Sequence, residues 1–128
     1  MTPPTRARDW LAQAKDDLRF ARTAEREGFY AQACFICQQA AEKALKSILL
    51  GRRARAVFTH SLFELCRSLR INGKLLKAAG ILDRYYLSGR YPDALPGGAP
   101  FEVFARPQAQ EAVRLASQFV RRAEAHLR

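Results

Sequence analysis

Ala33-Cys34-Phe35-Ile36-Cys37-Gln38-Gln39-Ala40-Ala41-Glu42-Lys43-Ala44-Leu45-Lys46 is the stretch on which the fold turns. Around it Tyr30, Ala33, Cys34, Cys37, Ala41, Ala44, Leu45 and Ile48 recur three and four residues apart. That spacing puts them on one face of an α-helix, predicted over 29–50, with Gly51 placed to end it in a left-handed cap. Ala31, Ala33, Ala40, Ala41 and Ala44 would let a neighbouring helix approach closely. Of Gln38 and Gln39, one is expected to point into the bundle or a dimer seam, where a buried amide needs a partner.

On the N-terminal side, Thr2-Pro3-Pro4-Thr5 supplies cap and first-turn residues, and Trp10, Ala14, Leu18 and Ala21 carry a first helix as far as Gly28. Trp10 reads as a core residue. On the C-terminal side, residues 52–60 form a basic connector, and Ser61-Leu62-Phe63-Glu64 has the form of a capping box with Ser61 as N-cap. Leu62, Leu65 and Leu69 give the third helix its stripe, and Asn72-Gly73 closes it. A fourth helix is predicted over 74–87. Residues 88–100 hold three prolines and three glycines and read as a long loop. Pro107 opens the last helix, which runs to Leu127. The pattern is all-α, an up-and-down bundle of four to five helices, with residues 1–128 as a single domain.

Composition narrows the function classes. No apolar run approaches the roughly 18 residues of a membrane span, and the basic N-terminus lacks a signal-peptide core, so a cytoplasmic location without membrane contact is expected. Cys34, Cys37 and Cys66 are an odd number, in keeping with a reducing compartment. Cys34-Phe35-Ile36-Cys37 matches a zinc or redox spacing, but it lies inside a helix with no second Cys/His pair; packing is the reading, with no metal and no cofactor expected. Phosphate loops of the Walker type and nucleophile elbows are absent from the sequence.

The net charge is +10, distributed as +1 over residues 1–28, +4 over 29–60, +4 over 61–90 and +1 over 91–128. Residues 52–90 alone carry nine Lys or Arg against Glu64 and Asp83, or +7. Such density favours phosphate-bearing partners, although an Arg-rich solubilising surface would look the same.

Four segments then resemble one family in its own order: Trp10 to Leu18, the Gln38-Gln39-Ala40-Ala41-Glu42-Lys43-Ala44-Leu45-Lys46 helix, Thr59-His60-Ser61-Leu62, and Arg90-Tyr91-Pro92-Asp93. They resemble the HEPN domain family over nearly the whole chain. The resemblance implies a four- to five-helix bundle that usually forms a homodimer. It is often paired with a minimal nucleotidyltransferase in a toxin–antitoxin-like system. Some members are metal-independent ribonucleases, and others are nucleotide-binding or structural partners.

The ribonucleases carry an Arg and a His four to six residues apart, which Arg55-x4-His60 and Arg53-x6-His60 both satisfy here. His60 would precede the N-cap of helix three, where free N–H groups and the helix dipole favour a phosphate. It could then act as general base on a ribose 2′-hydroxyl while Arg55 stabilises the phosphoryl transition state. The family's active members place the pair near the start of the last long helix, and no His follows Arg90 within that reach; Arg121-x4-His126 matches the spacing as well. Arg52, Arg53, Arg90, Tyr91 and Asp93 are the candidate ligand-binding residues. A binding module for nucleotide or RNA phosphates, a ribonuclease using Arg55 and His60, and a purely structural assembly partner are the three functions left open.

Overall fold

The computed structural model describes residues 5–53 and 58–128, and among these every regular element is helical. Three long helices, α1 (Thr5–Arg26), α2 (Tyr30–Gly51) and α7 (Arg106–His126), carry most of the core. Between α2 and α7 run four short helices, α3 (Leu62–Ser68), α4 (Lys74–Asp83), α5 (Tyr85–Ser88) and α6 (Pro100–Val103), and a 3₁₀ turn at Pro92–Ala94. α2 is the central element, packed against both α1 and α7. Its predicted stripe is buried from Ala33 to Ile48, with Tyr30 half-buried, and Leu45 and Ile48, with Phe119 of α7, are among the largest fully buried side chains. Each such residue contributes about 1.5–3 kcal/mol by leaving water.

α1 turns into α2 through a Schellman motif: Gly28 takes φ 90°, its N–H reaches Glu25 O at 3.2 Å, and the Phe29 N–H reaches Ala24 O at 2.8 Å. The other helix ends differ from the glycine-based expectation. Gly51 is still helical, and the left-handed residue beyond α2 is Arg53, at φ 57°. Gly51 is small for another reason, since a Cβ there would lie 2.5 Å from Leu127 Cδ2. α3 likewise ends at Ser68 with Arg70 at φ 58°, while Gly73 is the N-cap of α4. The single fourth helix predicted over 74–87 is broken at Arg84 into α4 and α5.

The small residues of α2 (Ala31, Ala33, Ala40, Ala41 and Ala44) are all buried within the chain, where they allow neighbouring helices the close approach that the sequence predicts. One packing expectation changes. Trp10 is only half-buried, with Lys46 Nζ 5.8 Å from its ring centroid, because it faces the edge of the α1/α2 contact. Trp10 and Lys43 border a shallow surface hollow, and Lys43 pairs with Asp17 of α1. The predicted start of α1 at residues 2–4 lies outside the described residues.

Cys34, Cys37 and Cys66 are free thiols in the core. Burial, reinforced by the Glu111 carboxylate, pushes Cys34 up to about 12. Burial and then Asp83 push Cys66 up to about 11, and burial with Cys34 as neighbour raises Cys37 further still. Above pH about 9 the unfolded thiols lose protons that the folded ones keep, so stability should fall as pH rises from there toward 11–12. Urea-unfolding midpoints across that range check this, and a Cys34→Ala variant should show a shallower decline. A decline equal to that of the unsubstituted protein would contradict it.

Candidate functional site

The site is built on α2, which presents Gln38 and Glu42 one turn apart on its buried face. Gln38 is fully buried and fully used: its Nε2 donates to His60 O at 2.7 Å and to Asp83 Oδ1 at 3.4 Å, while its Oε1 accepts from Gln39 Nε2 at 2.8 Å. The expectation of a partnered glutamine is met inside the chain. One amide thereby ties α2 to the entrance of α3 and the end of α4.

Asp83 decides what that entrance can bind. Its carboxylate accepts from Leu62 N at 2.8 Å, Phe63 N at 3.0 Å and Ser61 Oγ at 3.2 Å. The N–H groups expected to receive a phosphate are therefore already occupied by an anionic side chain. Ser61 is the N-cap as predicted, its Oγ accepting from Glu64 N at 3.2 Å. The return half of the capping box is replaced, because the Ser61 N–H donates to Thr59 Oγ1 at 3.0 Å.

His60 sits immediately outside this cap with its ring 60% exposed. Its Nδ1 faces the Glu42 carboxylate at 3.1 and 3.3 Å, and its ring stacks on Tyr86 with centroids 4.9 Å apart and planes 19° off parallel. Glu42, itself 5% exposed, is held in turn by Lys46 at 2.9 Å. Fixing Nδ1 in this way leaves Nε2 as the nitrogen offered to a ligand.

Tyr86 also carries Arg90. The Arg90 guanidinium lies 4.2 Å from the Phe35 centroid, 4.9 Å from Tyr86 and 4.8 Å from Tyr91, an aromatic cage around one cation. Its Nε and Nη2 donate to Tyr86 O at 3.0 and 2.8 Å, and Nη1 donates to the Tyr91 hydroxyl at 3.3 Å. Gly89 makes this possible, since its bare Cα lies against Ala31 O and Phe35 and lets the end of α5 dock on α2.

The structure therefore gathers His60, Arg90 and Tyr91 around Tyr86. Arg52 turns to the end of α7, where its Nε lies 3.2 Å from His126 Nε2. Arg53 is exposed at the end of α2, and Asp93 is exposed in the 3₁₀ turn. Arg55 lies outside the described residues. Glu42, Tyr86 and Phe35 were missed by the sequence reading of the site. Glu42 did leave a signal: with Gln38 it makes two polar residues on an otherwise apolar helix face, and each requires a partner.

The comparisons agree with this architecture. The HEPN domain model matches residues 7–126. The protein TT1696 from Thermus thermophilus is 40% identical, with 97% of this chain and 100% of that chain covered and a TM-score of 0.86. ST0689, an archaeal HEPN homologue, is 32% identical over 95% of this chain and 98% of its own, with a TM-score of 0.80. The HEPN domain protein tm0613 from Thermotoga maritima is 33% identical over 91% and 95%, with a TM-score of 0.70. No curated protein matches the chain. Among the described residues no helix is long and apolar enough to cross a membrane, and no three His, Cys, Asp or Glu side chains converge as metal ligands. With the family model covering nearly its whole length, the chain belongs to the HEPN domain family.

Proposed function

We propose that the protein is a HEPN binding module of the cytosol that takes up a nucleotide or RNA phosphate and partners a minimal nucleotidyltransferase in a toxin–antitoxin-like pair. The observation that carries the reading is that Tyr86 holds both the exposed His60 ring and the Arg90 guanidinium, which Tyr91 in turn covers. The half-exposed Tyr91 ring offers a stacking face for a base, the guanidinium against it offers positive charge to a phosphate, and the imidazole Nε2, linked to them through Tyr86, offers a hydrogen bond. Three N–H groups of Arg90 are bonded within the chain, which suits a fixed electrostatic platform better than a mobile catalytic arm. A homodimer is part of this proposal, supported by the exposure of Phe20, Phe29 and Phe101.

One observation favours the ribonuclease as second reading. Glu42 orients His60 as a carboxylate orients a general base, although the proposed cationic partner, Arg55, lies outside the described residues.

Two measurements separate the readings. ATP binding should weaken about tenfold in Tyr91→Ala, as expected for removal of one stacking ring worth about 1–3 kcal/mol. RNA incubated with the protein in EDTA should stay intact. Cleavage by the wild type and not by His60→Ala would overturn the binding reading in favour of the nuclease, and a protein that neither binds ATP nor cleaves RNA would leave only an assembly role.

A further inference from the structure

The charge counted along the sequence places the basic region at residues 52–90, yet folding creates a second concentration from segments that each carry only +1. The N-terminal half of α1 and the C-terminal end of α7 enclose an open groove of about 530 Å³. Arg8 and Lys15 line it from α1, and Arg121, Glu124 and Arg128 from the other side, over a floor of Leu11 and Leu127. Its volume lies within the range of about 300–1,000 Å³ typical of ligand clefts.

The electrostatics of this groove are one-sided. Its single side-chain carboxylate, Glu124, is neutralised by Lys15 at 2.9 Å. No carboxylate pairs with Arg8, Arg121 or Arg128 among the described residues. Stability does not account for Arg8, because a cation in the opening turns of α1 opposes the helix dipole. The groove also joins the basic connector: Leu127 rests on Gly51, and Arg52 reaches His126, adding a further guanidinium at the edge. Partial burial first, and then Arg52 and Arg122, hold the His126 imidazole below its ordinary value.

We infer that this groove binds the phosphodiester backbone of single-stranded nucleic acid, at a site separate from that around His60. Phosphates lie along the guanidinium groups of Arg8, Arg121 and Arg128, and the half-buried Leu11 meets the apolar face of a ribose or base. Guanidinium groups without carboxylate partners on two adjoining helices match the repeating phosphates of a nucleic-acid chain. The inference stands on the side chains of the groove and holds whether or not a nucleotide binds at His60.

The test is fluorescence anisotropy of a labelled single-stranded RNA oligonucleotide with the full chain over a range of salt concentrations. The double variant Arg8→Glu/Arg121→Glu should bind at least about tenfold more weakly at low salt. Its plot of log affinity against log salt should flatten by about 0.7 for each phosphate that the protein no longer neutralises. Arg8→Gln/Arg121→Gln, checked for an unchanged melting temperature, should show the same trend more weakly, and Arg114→Gln, an exposed cation of α7 outside the groove, should leave the salt slope unaltered. RNA added to the wild type should also shift the His126 ring signals in an NMR spectrum. Wild-type binding that is absent, or equal in the double variant, overturns the inference; so does binding to phosphatidylserine vesicles without binding to RNA. RNA binding abolished in Tyr91→Ala but kept in the double variant would overturn the groove alone and leave the nucleotide site standing.

Discussion

Gly89→Ala is expected to lower the stability of the protein by about 2–3 kcal/mol, the upper part of the range of about 1–3 kcal/mol in which overpacking of a closed site falls. A Cβ at this position would lie 2.9 Å from Tyr85 O, 3.1 Å from Ala31 O and 3.1 Å from Phe35 Cβ. Two of those neighbours are backbone carbonyls, which cannot swing aside as a side-chain terminus can. Relief requires α5 to lift from α2, and the lift carries Arg90 away from the Phe35 ring. The variant should therefore lose ATP affinity along with stability. Urea unfolding by circular dichroism, with ATP titration of the folded variant, checks both effects, and stability within about 0.5 kcal/mol of wild type would show that the close approach is not required.

Asp83→Ala should cost about 3 kcal/mol. It removes the anionic cap of α3 and leaves the Leu62 and Phe63 N–H groups, the Ser61 hydroxyl and the second bond of Gln38 without their acceptor. Loss of a helix cap costs about 0.5–2 kcal/mol, and bonds to a charged group about 1.5–3 kcal/mol each, but members of one network do not add. The vacated helix end should then behave as an anion site. Added phosphate should raise the melting temperature of Asp83→Ala by more than that of wild type. Equal responses would mean that the carboxylate does not stand where an anion would go.

The parts of this molecule legible in its sequence were those governed by local rules. The three- and four-residue spacing from Tyr30 to Ile48 located α2, Pro107 marked the opening of α7, and Ser61 was identified as an N-cap, because period, fixed φ and side-chain capping act over a few residues. Glycine was the less faithful guide. Gly51 and Gly73 were read as helix terminators, whereas Arg53 and Arg70 adopt the left-handed conformation and Gly51 answers to Leu127, distant in the chain. The site was half legible. His60, Arg90 and Tyr91 were named from the sequence, but what joins them is Tyr86, and what orients His60 is Glu42, through contacts whose partners no spacing rule connects. The same limit applies to Asp83: a carboxylate that caps a helix 20 residues earlier looks in the sequence like any surface acid.

The position of Trp10 at the margin of α1 and α2 has a spectroscopic consequence. As the one tryptophan in the chain, it reports emission changes from the long-helix side of the bundle alone, while the α3–α6 side is optically silent at that wavelength. Circular dichroism at short wavelength averages over all the helices. Unfolding curves from the two probes will coincide only if the short helices and the Gln38 strap melt together with the long ones; separation of the curves, with emission changing last, would identify α3–α6 as a unit that opens on its own.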